Sequence, residues 1–361
     1  MQVFIGEYTI GGGLASTPLA SLPQGLLAEG TAMHHAICED TNRCARVVTT
    51  IDSRLPHRMD PAIKTIPVDA SDELIPQWLA ASADCDAAIL IAPEFDRLLY
   101  KLVAAFRGFG RNVIAPNANF IDATTDKLQL SQRLLSANVP HPISFGPRQA
   151  PQESSATEWI LKPNDGCGSL EVQRFGSFTQ ADNQRRRRTG EWIIQAYHPG
   201  QAVSIAAIVT AGGIHWLPAC LQKMEPPHFS YHGGQSPLPD ALADRAERLA
   251  AAAFDAVFDR SSRSNDSSSQ VGYVGVDLIL ANDPRDDVVI EINPRLTTSY
   301  VGVRHLMKSN LAATMLGLDA APPILDPSVS AVRWDAAGRA DISPGDSASC
   351  HRTQTEVSRS Q

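Results

Sequence analysis

Two segments, VGVDLIL (274–280) and VVIEINPR (288–295), constrain this chain more than any other feature. Each reads as a strand apolar enough to be buried, yet each carries an acid. Alternation places residues i and i+2 on one face of a strand. Val274, Val276, Leu278 and Leu280 therefore share one face with Asp277 on the other. Glu291 and Asn293 point the same way, while Val289, Ile290 and Ile292 can pack. An acid in so apolar a strand costs on the order of several kcal/mol unless it is paired or metal-bound. Two carboxylates and an amide oxygen on two strands suit a hard cation such as Mg²⁺ or Mn²⁺, which takes oxygen ligands and keeps part of its shell for phosphate. The bland alternative is two buried strands with chance polar residues, one of them at an edge.

A chain of 361 residues can bury a large core and divide into two or three lobes. Its net charge of −8 disfavours a nucleic-acid partner. The basic run from Arg185 to Arg188 reads as a solvated loop tip before a strand at Trp192. No apolar run is long enough to span a bilayer. The first residues, MQVFIGEYTI, lack the charged start and long apolar block of a signal peptide. The six cysteines form no CxxC pair and no metal-finger spacing, which suits a reducing cytoplasm. Small-molecule substrates are the expected partners, with homo-oligomerisation left open.

Strands alternate with helices through the first third: 2–8, 45–51, 64–68, 86–92 and 112–115 against helices at 25–38, 72–81 and 95–109. That order predicts an α/β class with an open parallel sheet, whose ligands bind beyond the carboxyl ends of the strands. Glu7, the glycine run with Gly11 and Gly12, and Glu94 in the APE turn fall there. Asp126 can cap a helix opening at Lys127. Strand 158–162 then runs into the loop PNDGCGS and returns at 170–174; strands at 192–197, 203–210 and 214–220 and an amphipathic helix at 240–258 follow. The polar segment 261–269 and the Ser- and Asp-rich tail after 336 have little to bury. The expected division is 1–119, 120–190, 191–335 and a disordered 336–361.

Lys162 before Gly166, Gly168 and Ser169 has the composition of a phosphate-covering hairpin, because glycine lets backbone amides approach an anion and lysine adds charge. Taken alone, a plain hairpin turn is equally compatible, and Lys127 alone could be a surface lysine. The combination is more specific. Asp-Lys at a helix start, Lys-Pro before a glycine loop, a strand ending QAYHPG, then VDLIL and EINPR occur in one order. This order resembles the ATP-grasp superfamily of carboxylate–amine ligases over about residues 1–320. The resemblance implies a Rossmann-like N-terminal domain followed by two mixed-sheet lobes clasping ATP. It implies Lys127 and Lys162 on the phosphates, the loop with Gly166, Gly168 and Ser169 closing over them, and Gln195, Ala196, Tyr197 and His198 supplying backbone contacts to adenine. Asp277, Glu291 and Asn293 would hold two Mg²⁺ or Mn²⁺ ions, and Arg295 would meet the transferred phosphate or the acceptor carboxylate. Two positions depart from the family: Ala202 stands where many relatives carry a ribose-binding acid, and Gly275 where many carry an arginine, for which Arg295 or Arg304 could substitute.

The stretches EYTIGGG (7–13), IAPEFDRLLYKL (91–102), FSYHGGQSP (229–237) and EINPRLTTSYVG (291–302) resemble a narrower group of these ligases. That group serves methanofuran biosynthesis and joins the amine of tyramine to the γ-carboxylate of glutamate, consuming ATP. This resemblance implies an acceptor site shaped by the glycine run with Gly11 and Gly12 and by the NPR-x-TTS segment with Ser299. Glu7 and Glu94 read either as acceptor ligands or as the polar ends of their strands, and Tyr231 and His232 either as substrate contacts or as residues of a plain Pro- and Gly-rich loop. Two further readings stay open: another amino-acid or peptide ligase of the same fold, and a nucleotide-binding regulator without catalysis.

Overall fold

The computed structural model describes residues 1–70, 73–151, 156–166, 171–258 and 272–345. The first sheet is parallel, in the order β3-β2-β1-β4, from β1 (Gln2–Glu7), β2 (Arg46–Asp52), β3 (Lys64–Val68) and β4 (Ala87–Ile91). All four strands are short, and β1 and β4 are buried on both faces, as a strand covered by helices must be. One face packs on α2 (Leu74–Ala81) and α3 (Leu98–Gly108) through Phe4, Trp78, Leu102 and Phe106. The other packs on α1 (Gln24–Asn42). The expected strand at 112–115 is reduced to one parallel bridge, Ala88 to Val113.

Two antiparallel sheets follow. The smaller, β5-β8-β6-β7, is built from β5 (Ser144–Phe145), β6 (Trp159–Pro163), β7 (Gln173–Phe175) and β8 (Trp192–Ala196). The larger has eight strands: β9 (Gln201–Thr210), β10 (Gly213–Trp216), β11 (Cys220–Glu225), β12 (Ser230–Ser236), β13 (Gly272–Leu280), β14 (Val288–Asn293), β15 (Val329–Asp335) and β16 (Ala340–Pro344). Their order is β14-β13-β9-β11-β12-β15-β16, with β10 also on β9. Both lobes are therefore antiparallel rather than mixed. The expected single strand 214–220 is two, broken at Pro218, which has no N–H to give a ladder. The expectation of disorder from 336 onward is also corrected, because β16 pairs with β15 along Val329–Trp334. Residues 261–269 lie outside the described residues.

Helices α4 (Ala118–Thr125), α5 (Lys127–Ser136) and α7 (Asp240–Val257) cover one face of the large sheet, where Val274, Val276, Leu278 and Leu280 meet Leu130, Leu134 and Phe254. Helix α6 (Phe178–Arg185) backs the small sheet. The other face of the large sheet is closed by α8 (Ser299–Val303) and α9 (Leu311–Met315). Tyr300, Leu311 and Trp334 share one core with Val3, Ile5, Met33 and Ile37. Helix α1 is thus held between the parallel sheet and the large antiparallel sheet, so its residues Glu29 to Met33 reach the interior of the molecule. Among the described residues, no helix is long and apolar enough to cross a membrane.

Candidate active site

A cleft of about 840 Å³ opens where the three sheets meet. Its walls come from the carboxyl ends of β1 and β4, from β6 and β8, and from the faces of β13 and β14 that point away from α7.

The carboxylates converge as the strand alternation requires. Residue Asp277 pairs with Glu291 across the ladder, and Gly275 with Asn293. One detail was not legible: β14 carries a β-bulge, with Asp277 opposite Glu291 but Leu278 opposite Val289. Strict alternation would put Val289 on the face of Glu291. The supernumerary Ile290 turns Val289 into the core with Ile292 and lines the cleft itself, which corrects the expectation that it packs. Asn293 Nδ2 donates to Asp277 Oδ2 at 2.9 Å, and Gln222 Nε2 donates to Asp277 Oδ1 at 3.1 Å. Burial, with the charge of Glu291 second, pushes the Asp277 carboxyl upward. Burial would do the same to Glu291, but Lys127, Lys162 and Arg295 together outweigh it and hold that carboxyl below its ordinary range.

Both lysines arrive by separate routes. Asp126 caps α5, accepting from Gln129 N at 2.8 Å, a bond of a kind that contributes about 1 kcal/mol. Asn164, just after β6, accepts Lys127 N on its carbonyl at 3.0 Å and Leu128 N on Oδ1 at 3.0 Å. That clamp ties the loop after Lys162 to the helix that opens with Lys127. Lys127 Nζ donates to Gly166 O at 2.9 Å and lies 3.7 Å from Glu291 Oε2. Gly166 has φ +113°, which suits glycine. Lys162 is buried, and burial, reinforced by Lys127, lowers its ammonium to about 8 against the pull of Glu291 and Asp277. Gly168 and Ser169 lie outside the described residues.

At the β8 end, Gln195, Ala196, Tyr197 and His198 all line the cleft. The Gln195 side chain is turned to Ser144 Oγ at 3.0 Å and His141 Nε2 at 3.2 Å. The amides of Ala196 and Tyr197 already donate to the carbonyls of Ile143 and Glu158, each at 2.9 Å. The Arg174 guanidinium lies 3.8 Å over the Tyr197 ring.

The opposite end is acidic. Arg295 Nε and Nη2 donate to the two oxygens of buried Glu94 at 2.8 and 3.2 Å, a pair joining residues 201 apart in sequence. Glu7 is buried, accepts from Ile10 N at 2.9 Å, and is pushed up to about 7 by burial. Glu29 on α1, absent from the sequence reading, lines the same space, and burial pushes it up to about 7 as well. Nothing in the residue pattern marks it, because a lone glutamate on a helix reads as solvated. Tyr231 and Ser299 also line the cleft; Tyr231 accepts from Trp334 Nε1 at 2.7 Å, and Ser299 Oγ meets Thr297 Oγ1 at 2.8 Å.

Three expectations are corrected here. Gly11 and Gly12 do not reach the cleft: the Gly11 carbonyl accepts from Thr50 Oγ1 and Trp78 Nε1, each at 2.9 Å, and Gly12 packs on Val68. His232 points outward, 2.8 Å from Glu225 on the exposed hairpin of β11 and β12. Arg304 cannot replace the missing arginine, since Asp40 and Glu39 hold it at 2.5 and 3.1 Å. Gly275 leaves no room for one either, because a Cβ there would lie 2.6 Å from Thr297 Cγ2. Arg295 is the cleft's guanidinium.

Among the described residues, no three His, Cys, Asp or Glu side chains converge as metal ligands. The donor set of Asp277, Glu291 and Asn293 is two carboxylates and an amide, all hard oxygens. The upward push on Asp277 by burial and Glu291 is relieved by a cation, so these residues fit a divalent ion whose remaining ligands come from phosphate or water.

Residues 124–299 match the model of the ATP-grasp domain, and residues 45–121 match that of the pre ATP-grasp 3 domain. This chain belongs to the ATP-grasp family. Its place there is among the carboxylate–amine ligases. It is 24% identical over 307 residues to a tyramine–L-glutamate ligase of Methanocaldococcus fervens, covering 84% of this chain and 89% of the relative. The ATP-grasp fold is shared with a crystal structure from Archaeoglobus fulgidus assigned to that superfamily, at TM-score 0.68 and 20% identity over 93% of this chain and 92% of the other. It is shared also with the L-amino acid ligase of Bacillus licheniformis, at TM-score 0.62 and 13% identity over 92% and 78%. ATP binding follows from the family.

Proposed function

We propose that this ATP-grasp protein joins the γ-carboxylate of glutamate to a primary amine, tyramine, through an acyl phosphate, in the making of a methanofuran-type cofactor. The carrying observation is one continuous cleft with two lysines and two carboxylates at one end and Glu7, Glu29 and the Glu94-paired Arg295 at the other. The name of the Methanocaldococcus relative supports the choice of substrates. In this reading the two lobes run over 120–190 and 191–335 behind a domain ending at 119.

A carboxylate is a poor electrophile because its oxygen leaves badly. Its oxygen attacks the γ-phosphorus and ADP departs; the amine nitrogen then attacks the acyl carbon, loses a proton, and inorganic phosphate leaves. Such chemistry asks the protein mainly to position groups and offset charge. Lys127 and Lys162 lie where they neutralise phosphate oxygens. Adenine would meet the β8 end through carbonyl oxygens and the His198 amide, since the Ala196 and Tyr197 amides are already used. Asp277, Glu291 and Asn293 would hold the Mg²⁺ or Mn²⁺, which supplies charge neutralisation on the phosphates. Arg295 is set to meet the acceptor side.

The test is hydroxylamine trapping. Protein, ATP, Mg²⁺, glutamate and hydroxylamine should yield a glutamyl hydroxamate. Asp277→Ala should lower the yield about 10³-fold, of the order of removing a preorganised electrostatic group. An Asp277→Ala variant with full activity would end this reading.

A further inference from the structure

Helix α1 presents Leu26, Glu29 and Met33 to the cleft on one face, at the helical spacing of three and four residues. Glu29 is the odd member, a carboxylate between two apolar side chains. Among the described residues, the charge that acts on it favourably is that of Arg295. Its neighbour on the helix, Gly30, shows how tightly a second acid is pressed against the same place: a Cβ on Gly30 would lie 2.8 Å from Glu7 Oε1 and 2.9 Å from Thr9 Cβ. Only a residue without a side chain lets the Glu7 carboxylate lie on the α1 backbone beside Glu29. Tyr231 lines the same space and feels the charge of Glu29.

The charges at this end do not balance. Among the described residues, Glu7 and Glu29 line this end with one guanidinium, Arg295, and that guanidinium is already held through two nitrogens by Glu94. Burial pushes Glu7 and Glu29 up to about 7, and the charge of Arg295 offsets only part of that push. The missing element is a cation carried on an apolar body.

We infer that Glu29, backed by Glu7, binds the ammonium group of the amine substrate and selects primary amines that carry no α-carboxylate. The inference rests on the ligase reading above and assigns the specificity of its second substrate. Two sources of ammonium exist in such a reaction, the amine and the α-ammonium of the carboxylate substrate. The charge count favours the first. An α-amino acid would bring its own carboxylate beside Glu7 and Glu29, with Arg295 already paired to Glu94 and the cleft's lysines, Lys127 and Lys162, gathered around Glu291. An amine flanked only by carbon suits the Leu26, Met33 and Tyr231 walls.

The probes are tyramine and tyrosine, which differ by one carboxylate. The wild-type protein should use tyramine at least 100-fold better than tyrosine, in kcat/KM. Glu29→Gln should raise the KM for tyramine tenfold or more, a larger factor than for glutamate, and Glu29→Asp should recover part of the loss. Calorimetric binding of tyramine should weaken by the same factor in Glu29→Gln, with the variant's melting curve confirming that it folds. If the glutamate KM carries the change instead, the ammonium held is that of the carboxylate substrate and the inference is overturned. It is overturned also if neither KM nor tyramine binding moves. Failure of hydroxamate formation in the wild type would sink the ligase reading and leave the calorimetry to judge Glu29 by itself.

Discussion

The two ends of the cleft solve opposite electrostatic problems. At the β6 end, two lysines stand against Asp277 and Glu291, and each charge has a neighbour of opposite sign. At the α1 end, among the described residues, Glu7 and Glu29 line the cleft beside one arginine, Arg295, which Glu94 already pairs. The first end is near balance within the protein and can be rearranged around phosphates and cations that arrive together. The second is incomplete until a cation arrives. On the proposed reading, a cleft charged in this graded way sorts its ligands before any chemistry: anions with their counter-ions to one end, an ammonium to the other.

The largest effect should come from the matched end. Lys162→Met deletes a buried ammonium beside both carboxylates, and kcat/KM should fall about 10³-fold, a loss of about 4 kcal/mol in transition-state stabilisation. A variant within tenfold of wild type in steady-state ADP release would show that this end does not act on phosphate.

At the acid-rich end, Glu94→Gln removes the bidentate partner of Arg295 and should destabilise the fold by about 3 kcal/mol, the size expected when one member of a buried pair is lost. It also frees the guanidinium, so turnover of tyrosine relative to tyramine should rise by about tenfold, equivalent to roughly 1.4 kcal/mol. An unchanged ratio would mean that Arg295 does not enforce the selection.

The smallest effect sharpens the comparison through pH. The folded Glu7 carboxyl stands at about 7, above its ordinary 4.5. The native state therefore holds more protons than the unfolded one between those values, and stability contributed by the protonated form is lost as pH rises through 7. Glu7→Gln cannot ionise. It should melt above wild type at pH 8, by an amount equivalent to about 2 kcal/mol, and match it at pH 5. A constant difference across this range would show that the carboxyl is not strained by burial.

Local pattern made the acid-bearing strands of the cleft legible. Asp277, Glu291 and Asn293 follow from period-two alternation, the α5 start follows from Asp126, and the parallel sheet follows from alternating apolar runs and helices. What escaped depends on tertiary context. Strand β12, SYHGGQS, reads as a loop because its residues are polar and small; it is a strand because β11 and β15 flank it. Arg185 reads as part of a solvated basic run, yet its guanidinium is buried, donating to the carbonyls of Phe145 and Gly146 at 3.2 and 2.5 Å. Its neighbours Arg186 and Arg187 do remain exposed. Glu29 escaped for the same reason as Arg185: helix periodicity shows which residues share a face, but not that α1 is buried on two sides.

The bulge at Ile290 makes β14 unusually sensitive to length and tolerant of chemistry. Removing that one residue would restore unbroken alternation and force a choice: either Val289 leaves the core or Glu291 and Asn293 rotate away from the cleft. Exchanging Ile290 for another apolar residue would leave both faces in place. The spacing between the core valine and the glutamate is thus a ruler that cannot be shortened, whatever letters are written along it.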